Sequence, residues 1–156
     1  MTASRQPIHT GGCQCGAVRY ALYAEPTNPN VCYCRMCQKA FGNYLAPLAG
    51  VRLDEFAWTN GTPGIFKSSD AVERGFCRDC GTPLFFRYVD RDRISVSLGS
   101  LDDPSRVTPT RAYGVEGRLP FVLTLAALPG TRTEDDVPPE ARARLRSQQH
   151  PDHATE

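Results

Sequence analysis

The sequence lacks three features, each of which would indicate a class of protein. Its 156 residues include 18 lysine and arginine residues against 17 aspartate and glutamate residues, which gives a formal net charge of only +1. Without a marked basic excess, a surface that coats nucleic acid phosphates is not expected. No apolar run approaches the roughly 20 residues that span a membrane, and the first residues contain no apolar segment typical of secretory signals. We therefore expect a soluble, cytoplasmic protein that binds neither nucleic acid nor membrane.

Long helices are not expected either, because the chain contains 13 glycine and 13 proline residues, which favour turns. Apolar residues make up 40% of the chain, enough for the modest core of one domain. We predict a mostly β domain over residues 9–130, with short helical turns only. A flexible leader (1–8) is expected before it, and a mostly disordered polar tail (131–156) after it.

Alternating apolar and polar residues predict several strands within this domain. They are residues 17–24, 65–69, 71–76, 83–89 and 94–98. By contrast, residues 25–30 contain two prolines and two asparagines. This composition predicts a turn that ends the first strand.

Seven cysteines, in three groups, are the main chemical feature of the chain. The pairs Cys13/Cys15 and Cys77/Cys80 are each followed by a glycine, which lets the backbone turn tightly and direct N–H groups at sulfur. Two such knuckles supply the four thiolates of a closed, structural zinc site. Because the pairs are distant in sequence, this metal would link the start of the domain to its middle.

The third group, Cys32, Cys34 and Cys37, places three thiols within six residues. Thiolates select zinc, copper(I) or iron–sulfur clusters, and three protein ligands with an open position are typical of catalytic zinc. We predict a second zinc at this group, called the triple below, and expect weaker binding there than at the first site. A disulfide within the triple, buried free thiols, and a fourth protein ligand that closes the site are the alternatives.

A few charged residues lie near these cysteines in the sequence. Arg35 and Lys39 flank the triple, where they either form a solvated face or bind an anionic substrate. His9 precedes the first knuckle, but four thiols already complete that site, so we expect a solvated or hydrogen-bonded histidine. His150 and His153 lie in the predicted tail, and no metal role is expected for them.

Three ordered motifs resemble those of the glutathione-dependent formaldehyde-activating enzyme family, which also includes centromere protein V. They are GGCQCGAVRY at residues 11–20, CYCRMCQK at 32–39 and GFCRDCGTPL at 75–84. The resemblance covers about residues 8–128. It implies a two-layer, mostly antiparallel β fold around a four-cysteine zinc site, similar to that of Rab-binding accessory proteins and methionine sulfoxide reductase B.

The resemblance also implies which cysteines hold which metal. The structural zinc ligands are Cys13, Cys15, Cys77 and Cys80, and the ligands of the second zinc are Cys32, Cys34 and Cys37. The chain departs from the family pattern at Tyr33, where relatives often have histidine. It also departs at Arg111 and Phe121, where relatives often have histidine and tryptophan.

The implied activity is addition of formaldehyde, or a similar aldehyde, to the thiol of glutathione or a related thiol, a carbon–sulfur lyase-type reaction. The triple is then the catalytic group, and Arg35, Lys39 and Arg111 are candidates for binding the carboxylates of the thiol. A non-enzymatic zinc-binding interaction module is the main alternative. A thiol-redox protein, in which the triple cycles through a disulfide, is a third.

Overall fold

The computed structural model describes residues 5–154, and within them β-strands are the main regular element. Ten strands are formed: β1 His9–Gly12, β2 Arg19–Leu22, β3 Thr27–Cys32, β4 Ala46–Arg52, β5 Phe56–Asn60, β6 Gly64–Ser69, β7 Val72–Phe76, β8 Pro83–Tyr88, β9 Arg93–Ser97 and β10 Arg111–Tyr113. The α-helices are α1 Arg35–Phe41, α2 Thr133–Asp136 and α3 Pro139–Arg142. The mostly β prediction with short helices is therefore confirmed. Residues 1–4 of the predicted leader lie outside the described residues.

The strands form two sheets. One has the order β1-β2-β5 and the other has the order β10-β3-β4-β9-β8-β7-β6. Their neighbouring strands are antiparallel except for β10 and β3, which are parallel. This agrees with a mostly antiparallel arrangement, to which the parallel pair is the exception among the described strands. The cause is that β10 reaches β3 after a long connection rather than through a hairpin, so its direction is not fixed by a tight turn.

The core lies between the two sheets. Leu22 of β2 belongs to the same buried cluster as Val51 of β4 and Val96 of β9, so the sheets pack face to face. Cys13 and Cys77 are members of this cluster as well, and each is almost wholly buried. Each of the two knuckles is therefore joined directly to the hydrophobic core.

The prediction of a turn at residues 25–30 is wrong in part. β3 begins at Thr27 and continues through a proline to Cys32. A register shift between Thr27 and Asn30, where β3 pairs with β4, and a φ of 50° at Asn28 accommodate the turn-favouring residues as a bulge. Because the strand continues past this bulge, it delivers the first thiol of the triple.

The segment predicted as a mostly disordered tail contains α2 and α3, neither of which has a buried residue. Its end lies against the first knuckle. The His150 N–H donates to the Gln14 carbonyl at 2.8 Å, and Arg19 donates to the His153 carbonyl at 2.7 Å. The mostly disordered state of this segment stays a prediction. Among the described residues, none of the helices has the length and apolar character that a membrane crossing requires.

Candidate metal centres and active site

The two Cys-Gly knuckles meet at one point. The Sγ of Cys15 lies 3.5 Å from that of Cys13 and 3.7 Å from that of Cys77. With Cys80, the four sulfurs all lie within 4.8 Å of one another. Zinc–sulfur bonds of about 2.3 Å in a tetrahedron place the sulfurs about 3.8 Å apart. The observed spacing therefore fits one tetrahedral metal ion.

Glycine has the same backbone conformation in both knuckles, although the turn spans three positions in the first and four in the second. Gly16 has a φ of 79° and Gly81 a φ of 78°, in the left-handed region that favours glycine. The Gly16 N–H donates to the Cys13 carbonyl and the Gly81 N–H to the Cys77 carbonyl, both at 3.0 Å. The sequence predicted this turn from the glycine after each pair.

Within the four-cysteine cluster, Cys80 is the thiol with a lowered pKa, which favours the thiolate form that a metal requires, whereas the pKa values of Cys15 and Cys77 are raised. Burial disfavours the charged form of Cys80. However, bonds from Thr82, whose hydroxyl is 3.1 Å from Sγ, and from backbone N–H groups outweigh burial and lower the pKa of Cys80 to about 6. The Val18 N–H also donates to Cys13 Sγ at 3.2 Å.

His9 is separate from this cluster. Its Nε2 lies 2.9 Å from a carboxylate oxygen of Glu25, and its side chain is buried. The prediction of a hydrogen-bonded histidine is therefore confirmed.

The triple is assembled by the end of a strand and the start of a helix. Cys32 is the last residue of β3, Cys34 is the N-cap of α1, and Cys37 lies in the first turn of α1. The three sulfurs lie within 4.8 Å of one another, and among residues 5–154 the group has no fourth Cys, His, Asp or Glu member. The Cys37 N–H donates to Cys34 Sγ at 3.4 Å. All seven cysteines lie within the described residues and are free in this structure.

The three thiols of the triple differ in pKa. Burial raises the pKa of Cys32 to about 12 and also raises the pKa of Cys37. Burial acts in the same direction on Cys34, but hydrogen bonds from the backbone and side chain of Cys37 and from Cys32 outweigh it. The pKa of Cys34 is therefore below its ordinary value, and of the three thiols Cys34 most readily carries the negative charge.

Two contacts that hold the triple in place were not predicted. Gln38 Nε2 donates to the carbonyls of Tyr33, at 2.8 Å, and Gly117, at 2.9 Å. Gly114 has a φ of 59°, and a Cβ at this position would lie 2.7 Å from Cys34 N. The segment after β10 therefore packs directly against the triple and fixes the start of α1.

Arg74 is the main candidate residue that the sequence analysis missed. Its side chain projects from β7, the residue is only 7% exposed, and Nη2 lies 3.5 Å from Cys37 Sγ. Nε donates to Ser68 Oγ at 3.2 Å, and the guanidinium lies 5.1 Å from the ring centroid of Phe86. The remaining nitrogen, Nη1, is buried and has no hydrogen-bond partner among the described residues. A positive charge thus lies buried beside the thiols.

A cavity of about 640 Å³ lies next to the triple, and Arg74, which contacts Cys37, forms part of its wall. Two of the predicted substrate-binding residues, Arg35 and Lys39, line it together with Arg74. The other lining side chains are mostly apolar, and no acidic residue within residues 5–154 lines it. Arg111 lines a different cavity, with Tyr113. The structure therefore brings Arg35 and Lys39 to one cavity and places Arg111 elsewhere.

Curated relatives match parts of the chain. Over 84 residues it is 27% identical to an uncharacterised lyase of Schizosaccharomyces pombe, a match that covers 54% of this chain and 61% of that protein. Over 80 residues it is 31% identical to a Phaeosphaeria nodorum protein provisionally named a glutathione-dependent formaldehyde-activating enzyme, which covers 50% of this chain and 42% of that protein. The chain thus spans about half the length of these relatives.

Fold and family comparisons extend over more of the chain. A crystal structure of a Rhodobacter sphaeroides protein has a TM-score of 0.54 at 22% identity, covering 66% of this chain and 98% of that one. This likeness shows the fold alone, and the predicted similarity to Rab-binding accessory proteins and methionine sulfoxide reductase B stays a prediction. The model of the family described as glutathione-dependent formaldehyde-activating enzyme matches residues 8–115, a range that includes both cysteine clusters. The chain therefore belongs to the glutathione-dependent formaldehyde-activating enzyme family.

Proposed function

We propose that the protein is a zinc-dependent, carbon–sulfur lyase-type enzyme that adds an aldehyde to the thiol of glutathione or a related thiol. The observation that carries this proposal is the triple, whose three sulfurs lie together beside a cation-lined cavity without a fourth ligand among the described residues. Family membership and the lyase name of the S. pombe relative support the same reaction class.

The donor sets fit zinc at both clusters. Four thiolates in a tetrahedral arrangement suit a closed structural site, and three suit a site that keeps one position open. When bound at the triple, zinc supplies that open position and favours the deprotonated form of a thiol placed there.

The protein side chains bind the substrate and balance its charge. Arg74 places a positive charge 3.5 Å from Cys37 Sγ, where thiolates concentrate negative charge, so it stabilises the deprotonated cluster. Arg35 and Lys39 line the adjoining cavity and pair with the carboxylates of a glutathione-like thiol. Binding at both ends fixes the thiol sulfur beside the aldehyde, a proximity effect. The predicted substrate role of Arg111 stays a prediction, since this residue lines another cavity.

The reaction forms one carbon–sulfur bond. A lone pair of the thiolate sulfur attacks the aldehyde carbon, and the π pair of the carbonyl bond moves to oxygen. That oxygen takes up one proton, which balances the proton released by the thiol. The product is a hemithioacetal, and no oxidant or reductant is required.

The test is exchange between carbon-13-labelled formaldehyde and glutathione, followed by nuclear magnetic resonance with the uncatalysed rate subtracted. The zinc-loaded protein is expected to accelerate the exchange, and Cys34→Ser is expected to abolish the acceleration. Arg52→Gln is the control, because Arg52 is about half exposed and pairs with Asp54 and Asp92. A zinc-loaded protein that accelerates no aldehyde addition would contradict the proposal and favour a non-enzymatic module.

A further inference from the structure

The cavity beside the triple carries an unbalanced positive charge. Arg35 and Lys39 lie four positions apart on α1, so they share one face of the helix, and Arg74 reaches the cavity from β7. Arg74 is 7% exposed, yet its Nη1 has no hydrogen-bond partner among residues 5–154. A buried charged donor without a partner is unfavourable. An anionic ligand group would supply the missing acceptor.

The rest of the cavity wall is mostly apolar, with Ser68 as its one uncharged polar side chain among residues 5–154. Its apolar members are Met36, Ala40, Phe41, Ile65, Phe66, Phe76, Pro83 and Phe85. Met36, Ile65 and Phe66 are 47%, 47% and 61% exposed, respectively. Large apolar side chains exposed around a concave site with a few polar groups are typical of a small-molecule pocket. Formaldehyde is a single carbon, and glutathione is polar, so neither would use this wall.

The sheet register places Arg74 on the same face of the sheet as Phe66, an aromatic residue that lines the cavity. In the antiparallel pairing, Arg74 lies opposite Phe66 of β6 and opposite Phe86 of β8. Directly opposite residues on neighbouring strands project from the same face of a sheet. In a ligand whose anionic group is paired with Arg74, an adjoining apolar group would therefore lie next to Phe66.

We infer that this cavity binds an amphiphilic anion, namely a glutathione-like conjugate whose sulfur carries an apolar substituent, as it does after an aldehyde has added to the thiol. The inference rests on the proposed function and specifies its substrate class. The preferred aldehyde is an alkyl or aryl aldehyde larger than formaldehyde. The carboxylates of the thiol contact the cations, and the carbon chain contributed by the aldehyde packs on the apolar wall.

Binding of S-alkyl glutathiones to the zinc-loaded, full-length protein tests this inference apart from catalysis, because these ligands have no free thiol. Calorimetry would compare the S-methyl, S-butyl and S-hexyl compounds. Affinity is expected to rise about threefold to fourfold per added methylene, as for burial of one methylene group, until the wall is covered. Phe66→Ala should reduce the gain from methyl to hexyl, whereas Leu123→Ala, at an equally exposed apolar position outside the cavity, should not.

Variants that remove a positive charge test how the carboxylates of the same ligands are bound. Lys39→Gln and Arg74→Gln should weaken all three compounds by a similar factor, at least threefold, while Arg52→Gln leaves their affinity unchanged. If Arg74→Gln does not fold, Lys39→Gln and Phe66→Ala still decide the question. An affinity that does not increase with chain length, or an unaffected Phe66→Ala variant, would overturn the inference. Chain-length-dependent binding without aldehyde activity would support the inferred ligand class and contradict the proposed reaction. Formaldehyde activity without chain-length-dependent binding would support the proposed reaction and contradict the inferred ligand class.

Discussion

The two cysteine clusters use the same ligand but are assembled in opposite ways. The four-cysteine cluster joins knuckles whose members Cys15 and Cys77 are 62 positions apart, and two of its thiols belong to the hydrophobic core. The triple comes from one six-residue stretch at the end of β3 and the start of α1. A metal at the first cluster therefore closes a long loop of the chain, whereas a metal at the second cluster adds to a local structure that backbone contacts already hold.

Their surroundings differ as well. The four-cysteine cluster brings together four sulfurs, the number that fills a tetrahedral zinc site. The triple lacks a fourth ligand among the described residues and instead has Arg74 and a cavity beside it. We propose that this difference separates a metal site that stabilises the fold from one that is available for chemistry, and four measurements can break or sharpen that separation.

The largest effect is expected from Cys80→Ser. Removing one of four ligands from a site that joins distant segments should release the metal and destabilise the fold by several kcal/mol. Zinc content and thermal melting measure this effect. A variant that melts like the parent protein would show that the four-cysteine site is not structural.

Cys34→Ser is the matched change at the other cluster. It should lower the zinc content by about one ion per chain without unfolding the protein, because the structural site is separate. Mild chelation of the parent protein should likewise remove one zinc and leave the melting curve almost unchanged. Retention of the full zinc content in Cys34→Ser would mean that the triple is not the second metal site.

A smaller effect is expected from Arg74→Gln. Removing the charge next to Cys37 should weaken zinc binding at the triple by roughly tenfold, the scale of effects seen for groups that contact metal ligands. Arg74→Lys should lose less zinc affinity than Arg74→Gln, because lysine keeps the positive charge. Competition with a chromophoric chelator measures both variants. If Arg74→Gln leaves the zinc affinity of the triple unchanged, the guanidinium acts only on ligands bound in the cavity.

The sequence predicted the three cysteine groups because each knuckle and the triple are defined by local spacing and, in the knuckles, by the glycine that follows. The meeting of the two knuckles depends on the fold, and only the need for four zinc ligands indicated it in the sequence. Arg74 was missed for the opposite reason. It alternates with the apolar residues Val72 and Phe76 in β7, which is an unusual place for a charge. However, nothing in this pattern reveals that Cys37 lies across from it.

Long-range packing explains the other differences between prediction and structure. The parallel pairing of β10 with β3 and the bonds of Gln38 to Tyr33 and Gly117 join segments that no local pattern connects. In β3, turn-favouring residues stay within the strand because the bulge accommodates them and the strands on both sides supply hydrogen-bond partners. Tertiary pairing thus outweighed local turn propensity there.

The smallest effect is expected from truncation after Gly130. The removed segment has little buried surface. It bonds to the first knuckle through the His150 N–H and the Gln14 carbonyl, and to β2 through Arg19 and the His153 carbonyl. Each such bond contributes about 1 kcal/mol net, so we expect a decrease of only a few degrees in Tm and retention of both metals.

The same truncation can also distinguish the two clusters by the rate at which each loses its metal. Because His150 contacts the first knuckle, removal of the segment should quicken metal loss from the four-cysteine site to a strong chelator. The rate at the triple should stay the same, since α1 and the segment after β10 remain intact. Loss of a metal on truncation, or a decrease in Tm of more than about 10 °C, a change larger than two hydrogen bonds explain, would show that the segment is an integral part of the domain. An equal increase in both rates would mean that the two sites are coupled through the fold, and the contrast between a structural and an exchangeable metal would then no longer hold.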